Sequence, residues 1–165
     1  MYQWIAKRQI RQGFRQISAG DFEPVLRLFA PDVHFTFAGD HALGADVHSK
    51  DGAEAWFARV GQIFPGLNLE ARRIFVAGPP WDMVLTVEFQ VHDTLPDGST
   101  YQNRGVQIAR LRFGRIVEDH LMEDNLVLSD TLARLVTLGR DSAAAPPITD
   151  APGPRSSAPQ ALSAL

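Results

Sequence analysis

Cysteine is absent from the 165 residues, so no disulfide scaffold, thiolate metal site or cysteine nucleophile can be built. An excess of one charge is missing as well. The 16 Lys and Arg and 19 Asp and Glu leave a net charge of -3. A nucleic-acid-binding domain would show a basic face. The one basic stretch, Lys7 to Arg15, is interleaved with apolar residues and reads as the solvated side of a helix, so no nucleic-acid partner is expected. No apolar run approaches the ~20 residues that a membrane helix needs. The start of the chain, Met1-Tyr2-Gln3-Trp4-Ile5-Ala6-Lys7-Arg8, meets charge too early for a signal peptide. These absences lead to the expectation of a cytoplasmic protein that does not engage membranes. Neither a Gly-rich phosphate loop nor a Gly-x-Ser-x-Gly elbow occurs.

What is present suits one domain with a real core: 45% hydrophobic and 21% charged residues. Residues 1–140 are assigned to that domain. From Asp141 the composition turns to Ala, Pro and Ser, which bury too little surface to offset the entropy of ordering. Residues 141–165 are therefore expected to be a disordered tail. No internal repeat is found.

Apolar residues recur at helical spacing over Tyr2 to Ser18 (Ala6, Ile10, Phe14, Ile17), and Gly20 ends that helix. A short second helix is predicted for Phe22 to Phe29, ended by Pro31-Asp32, and a strand for Val33 to Ala38. Gly39 to Lys50 reads as a loop, and a third helix follows to Phe64 with Trp56 and Phe57 on its apolar face. The period then changes to two. Strands are predicted for Leu67–Ala77, Val84–His92, Thr100–Arg112 and Arg115–Asp124, followed by a helix over Leu126–Leu138. The order α-α-β-α-β-β-β-β-α predicts an α+β fold with an antiparallel sheet.

This order, together with Gly20-Asp21, Phe29-Ala30-Pro31-Asp32-Val33, Phe64-Pro65, Leu95-Pro96-Asp97-Gly98-Ser99-Thr100-Tyr101 and Gly114-Arg115-Ile116-Val117-Glu118, resembles the SnoaL-like branch of the nuclear transport factor 2 superfamily. The likeness spans roughly residues 8–138. It implies a strongly curved, largely antiparallel sheet wrapped around three N-terminal helices, with a cone-shaped pocket inside. The fold hosts isomerases, epoxide hydrolases, cyclases, dehydratases and non-catalytic adaptors, so it implies a place and not a reaction. Carried over residue by residue, the ketosteroid isomerase machinery falls on Phe37, Gly13 and Gln107. The epoxide hydrolase machinery falls on Gln90, Glu88 and Leu121, with the water-holding positions on Phe35 and Phe37. Neither set keeps its chemistry. The Glu-His-Trp run of the cyclases corresponds to Glu118-Asp119-His120, with Asp124 downstream.

Taken alone, the alternation in the Val84–His92 strand places Val87, Phe89 and Val91 against the core and Glu88, Gln90 and His92 in solvent. The resemblance implies the reverse: Glu88, Gln90, Asn103, Gly105, Gln107, Asp119, Leu121 and Glu123 inside, and the apolar face outside as a homodimer surface. Pairing across the Pro96-Asp97-Gly98 turn would set Glu88 opposite Gln107. Pairing across Phe113-Gly114 would set Gln107 beside Leu121, one diagonal step from Asp119. With strands ~4.8 Å apart, Glu88 and Asp119 would lie about 10 Å from each other. Glu88 and Asp119 are thus the expected catalytic carboxylates, with Phe35, Phe37, Trp56, Phe64, Gln90, Asn103, Gln107 and Leu121 as substrate contacts. Burial would raise at least one of the two carboxyl pKa values. The ligand expected is a small, apolar, oxygenated molecule. No cofactor is expected. His41 and His48, with Asp40 and Asp46, are read as loop polarity rather than metal ligands, and His92 as a candidate for the pocket mouth. The alternative is a non-catalytic ligand-binding or dimerisation module with its acids satisfied by Arg104 or Arg110.

Overall fold

The computed structural model describes residues 2–150. Helix α1 (Tyr2–Ser18) is followed by a single turn, α2 (Glu23–Leu26), and by strand β1 (Phe29–Phe37). Strand β2 (Ala45–Val47) and helix α3 (Lys50–Ile63) come next. Then follow the four long strands β3 (Asn68–Ala77), β4 (Asp82–Thr94), β5 (Thr100–Arg112) and β6 (Arg115–Glu123). Helix α4 (Asn125–Thr137), a 3₁₀ turn (Asp141–Ala144) and strand β7 (Ile148–Thr149) complete it. The fold is α+β. One mixed sheet runs in the order β3-β4-β5-β6-β1-β2-β7 and does not close into a barrel. Its neighbours are antiparallel except β1 with β6 and β2 with β7, which are parallel.

Local chemistry sets the boundaries. Ser49 caps α3 by accepting the Gly52 amide at 3.1 Å. Asp124 caps α4 by accepting the amides of Leu126 and Val127, so the acid kept from the cyclase pattern has a structural task here. Phe113 and Gly114 both have positive φ, 47° and 77°, and form the tight turn that joins β5 to β6.

Three sequence expectations need correction. Pro31-Asp32 does not end a helix. The chain is already extended from Phe29, and the β1–β6 register shifts between Phe29 and His34, which accommodates a proline that cannot donate to the ladder. The stretch 39–50 is not wholly loop, because β2 lies within it; three residues are too few to show a period. The fold also does not stop at 140. Ala143 is buried, Arg140 Nη1 donates to the Ile63 carbonyl at 2.6 Å, and the Ile148 amide donates to the Gly44 carbonyl at 2.8 Å. Residues 151–165 of the expected tail lie outside the described residues.

The concave face of the sheet carries the core. Val33, Phe35 and Val47 are fully buried, as are Leu128 and Leu135 of α4. Helix α1 packs along β3, and α3 packs behind β1. Rings from β1 and α3 interlock: Phe35 lies 4.9 Å from Trp56, and Phe37 lies 5.3 Å from it. Trp56 satisfies its indole N–H by donating to the Leu43 carbonyl at 2.7 Å. Among the described residues no helix is long and apolar enough to cross a membrane.

Candidate functional site

The facing of the long strands decides which groups meet. In β4 the odd-numbered residues point inward: Leu85, Val87, Phe89 and Val91 are all buried. Val87, not Glu88, pairs with Gln107. The five residues 95–99 link Thr94 to its partner Thr100, and the expected register assumed a connection of the other parity. Since side chains alternate, a shift of one residue exchanges the two faces. Glu88 is therefore on the outer face, half-exposed, with Arg73 Nε 3.4 Å away. Gln90 is also outside, accepting from Arg72 at 2.6 and 3.0 Å. His92 sits on the same outer face; it does not line the inner cavity but borders an outer depression with Gln90, Gln102 and Arg104. The plain alternation pattern reads β4 correctly, and the facing implied by the resemblance does not hold for it.

The register between β5 and β6 is as expected: Gln107 pairs with Leu121 and Ala109 with Asp119. The inner face of these strands, with α1, α2 and α3, encloses a cavity of about 170 Å³. For scale, a cavity of ~150 Å³ accepts one benzene ring. Phe37, Trp56, Phe64, Gln107, Asp119 and Leu121 all line it, as the sequence leads one to expect. Phe35 packs behind in the core and does not line it. Asn103 does not line it either; its amide reaches Glu123 from behind, donating to Oε2 at 3.1 Å and to the Asp124 carbonyl at 3.0 Å.

Two acids face this apolar space. Asp119 is 2% exposed and its register neighbours are Ala109 on β5 and Phe35 on β1. Its carboxylate accepts one hydrogen bond, from Gln107 Nε2 at 2.8 Å. Burial pushes its pKa up to about 7, and the Gln107 bond opposes that shift only in part. Glu123, four residues along the same face, accepts from the Tyr101 hydroxyl at 2.6 Å and from Asn103. Burial likewise pushes its pKa up to about 7. The Tyr101 phenol is itself shifted well above its ordinary value, first by burial and then by the adjacent Glu123. Its ring stacks on Phe64, centroids 4.8 Å apart.

Tyr101 and the pairing of Glu123 with it are the parts that sequence reasoning missed. The signal was available, since Tyr101 shares the odd face of β5 with Asn103 and Gln107. Gly105 makes room for the arrangement. A Cβ there would stand 2.5 Å from the Phe89 ring, 2.6 Å from the Met122 carbonyl and 2.9 Å from Glu123 Cγ. Arg104 and Arg110 do not neutralise either acid; Arg110 bonds Asp82 in a bidentate pair at 2.9 Å on the outer face.

A buried carboxyl with one amide partner, set in an apolar cavity on a curved sheet, is the site that this architecture defines. The profile of the SnoaL-like domain family matches residues 10–119, well over half of the chain. The chain belongs to that family. Solved structures of the same fold include IdmH, a proposed polyketide cyclase from Streptomyces antibioticus (TM-score 0.63, 20% identity, 77% of this chain and 97% of that one). TerC, co-crystallised with polyporic acid, has a TM-score of 0.56 and 19% identity over 72% of this chain and 91% of that one. AclR, a proposed hydroxylase from Streptomyces galilaeus, has a TM-score of 0.53 and 18% identity over 82% of this chain and 86% of that one. At such identities the likeness concerns the fold. No curated protein matches the chain significantly.

Proposed function

We propose that the chain binds a small, apolar, oxygenated molecule and moves a proton on it through Asp119. The observation that carries this reading is the Asp119 carboxyl, buried in a cavity wall with Gln107 as its hydrogen-bond partner. With a pKa near 7, both of its forms are populated at neutral pH. The neutral acid can protonate a carbonyl or a departing hydroxyl, and the carboxylate can take a proton from a neighbouring carbon or oxygen. Gln107 fixes the carboxyl plane, while Phe37, Trp56 and Leu121 exclude water from the reacting atoms. The Tyr101–Glu123 pair offers a second polar contact further along β6. Isomerisation, cyclisation, dehydration and hydrolysis all use such a proton transfer. The similarity in fold to a proposed polyketide cyclase and to a protein crystallised with polyporic acid supports a small-molecule ligand.

Native mass spectrometry of freshly purified protein would identify a retained ligand. With that compound as substrate, Asp119→Asn should lower turnover by roughly 10²–10⁴. A variant that binds the compound and turns it over unimpaired would remove Asp119 from the chemistry. A binding module of the same fold is the second reading. Its supporting observation is that Tyr101 and Asn103 already occupy Glu123. It predicts a retained ligand that is returned chemically unchanged.

Self-association is proposed through the outer sheet face. The residues that favour it are not those expected, because Val87, Phe89 and Val91 point inward. Exposed Phe75, Val84, Ile108 and Met122 take their place. Light scattering on a sizing column should give twice the mass of one chain, and Ile108→Glu should return it to one.

A further inference from the structure

The outer face of β1 and β2 bears a group that the cavity does not use. Strand β1 pairs antiparallel with β2, Phe35 opposite Val47 and Thr36 opposite Asp46. His34 precedes Phe35 in β1, and His48 directly follows the last residue of β2. Phe35 and Val47 point into the core and are fully buried, so His34, Asp46 and His48 project from the opposite surface. Their side chains converge. His34 Nε2 lies 2.9 Å from Asp46 Oδ1, and His48 Nε2 lies 3.8 Å from the same oxygen. The two imidazoles stack with centroids 4.1 Å apart. One donor atom from each of the three residues falls within 4.8 Å of the others.

From this arrangement we infer a binding site for a divalent transition-metal cation of the zinc type, held by His34, Asp46 and His48 and remote from the cavity. The donor set suits such an ion, since two neutral imidazoles and one carboxylate are borderline ligands that leave a position for water. The spacing suits it as well. Metal–nitrogen and metal–oxygen bonds of about 2.0–2.1 Å in a tetrahedron place neighbouring donors ~3.3 Å apart. The observed 2.9 and 3.8 Å from the two imidazoles to Asp46 Oδ1 bracket that value, and turning the stacked rings about their side-chain bonds aims both nitrogens at one ion. The scaffold positions them. His34 and His48 flank the fully buried, paired Phe35 and Val47, and the His48 amide is held by the Asp150 carboxylate. His120 adds a further imidazole beside the cluster, its ring edge-on to His34 at 5.1 Å and its Nδ1 2.8 Å from the Thr36 hydroxyl. Three of the five histidines in the chain thus gather on one patch. The loop pairing of His41 with His48 weighed from the sequence does not form; His41 Nε2 instead meets the Asn125 side chain at 3.2 Å.

The test is calorimetric titration of Zn²⁺ into the tag-free, chelator-stripped full chain at pH 7.5, with thermal unfolding followed in parallel. The expected result is one saturable site per chain and a rise in melting temperature on adding the metal. His34→Ala and His48→Ala should each weaken binding by at least roughly tenfold, no less than the loss of an outer-shell partner costs at metal sites. Asp46→Asn should weaken it too, and His41→Ala should leave it unchanged. These side chains are on the surface, so the variants fold, and their unliganded melting curves verify it. Absence of saturable Zn²⁺ binding, or binding that survives His34→Ala and His48→Ala together, overturns the proposal.

Discussion

Asp119 and Glu123 are carboxyls that the fold keeps out of water, and this has a definite thermodynamic sign. Each has a pKa of about 7 in the folded chain and an ordinary, lower value when unfolded. Between these values the native state binds more protons than the unfolded state, so stability falls as pH rises through the window from about 4 to 7. A shift of this size on one fully buried group corresponds to about 4 kcal/mol at most. Asp119→Asn removes the ionisation while retaining an acceptor for Gln107. The variant should approach the parent most closely at pH 4, at the foot of that window, and exceed it by roughly 1–4 kcal/mol at pH 8, as read from urea midpoints at the two pH values. Glu88 supplies the contrast. It is half-exposed and its partner is Arg73 on the solvent face. Glu88→Gln should shift stability by less than about 1 kcal/mol and leave ligand binding intact, by the same urea titration and by calorimetry.

At the level of elements, β5 and β6 build the site and β4 lines it with hydrocarbon. Their close approach depends on Gly105, where any Cβ meets the Phe89 ring and the Met122 backbone carbonyl. Gly105→Ala should cost about 1–3 kcal/mol and displace Glu123, seen as a lower melting temperature and weakened binding of whatever ligand co-purifies. The same strands show what the sequence could convey. Helix periodicity gave α1, α3 and α4, and period two gave the four long strands with ends correct to within two residues. The expected β5–β6 pairing of Gln107 with Leu121 is present, but the turn at Phe113-Gly114 alone pairs Arg112 with Arg115; a register shift between Arg110 and Leu111 brings Gln107, Asp119 and Leu121 together. The β4–β5 register did not follow. Whether Leu95 to Ser99 joins the strands with odd or even parity depends on backbone hydrogen bonds such as Leu95 N to Ser99 O, which composition does not encode. That ambiguity left the facing of Glu88 and Gln90 to the resemblance, which put them on the wrong face. Strands β2 and β7 were invisible because three and two residues carry no periodic signal.

At the scale of the whole molecule, the segment after α4 belongs to the fold. Arg59 on α3 donates to the Pro146 carbonyl at 2.7 Å, and β7 extends the sheet beyond β2. Ending the chain after Arg140 should therefore destabilise it by roughly 1–3 kcal/mol, measured as a lower urea midpoint. The parallel union of β1 with β6 has a different consequence, one of timing. It joins residues such as Thr36 and His120, 84 positions apart, and closing so long a loop is entropically slow. Until β6 docks between β5 and β1, Asp119 remains hydrated and titrates as an ordinary acid. During synthesis the aromatic wall of β1 and α3 can assemble while the ribosome is still supplying the acid-bearing strand. The acid-bearing wall of the cavity is thus acquired late, with only α4 and the segment after it still to follow.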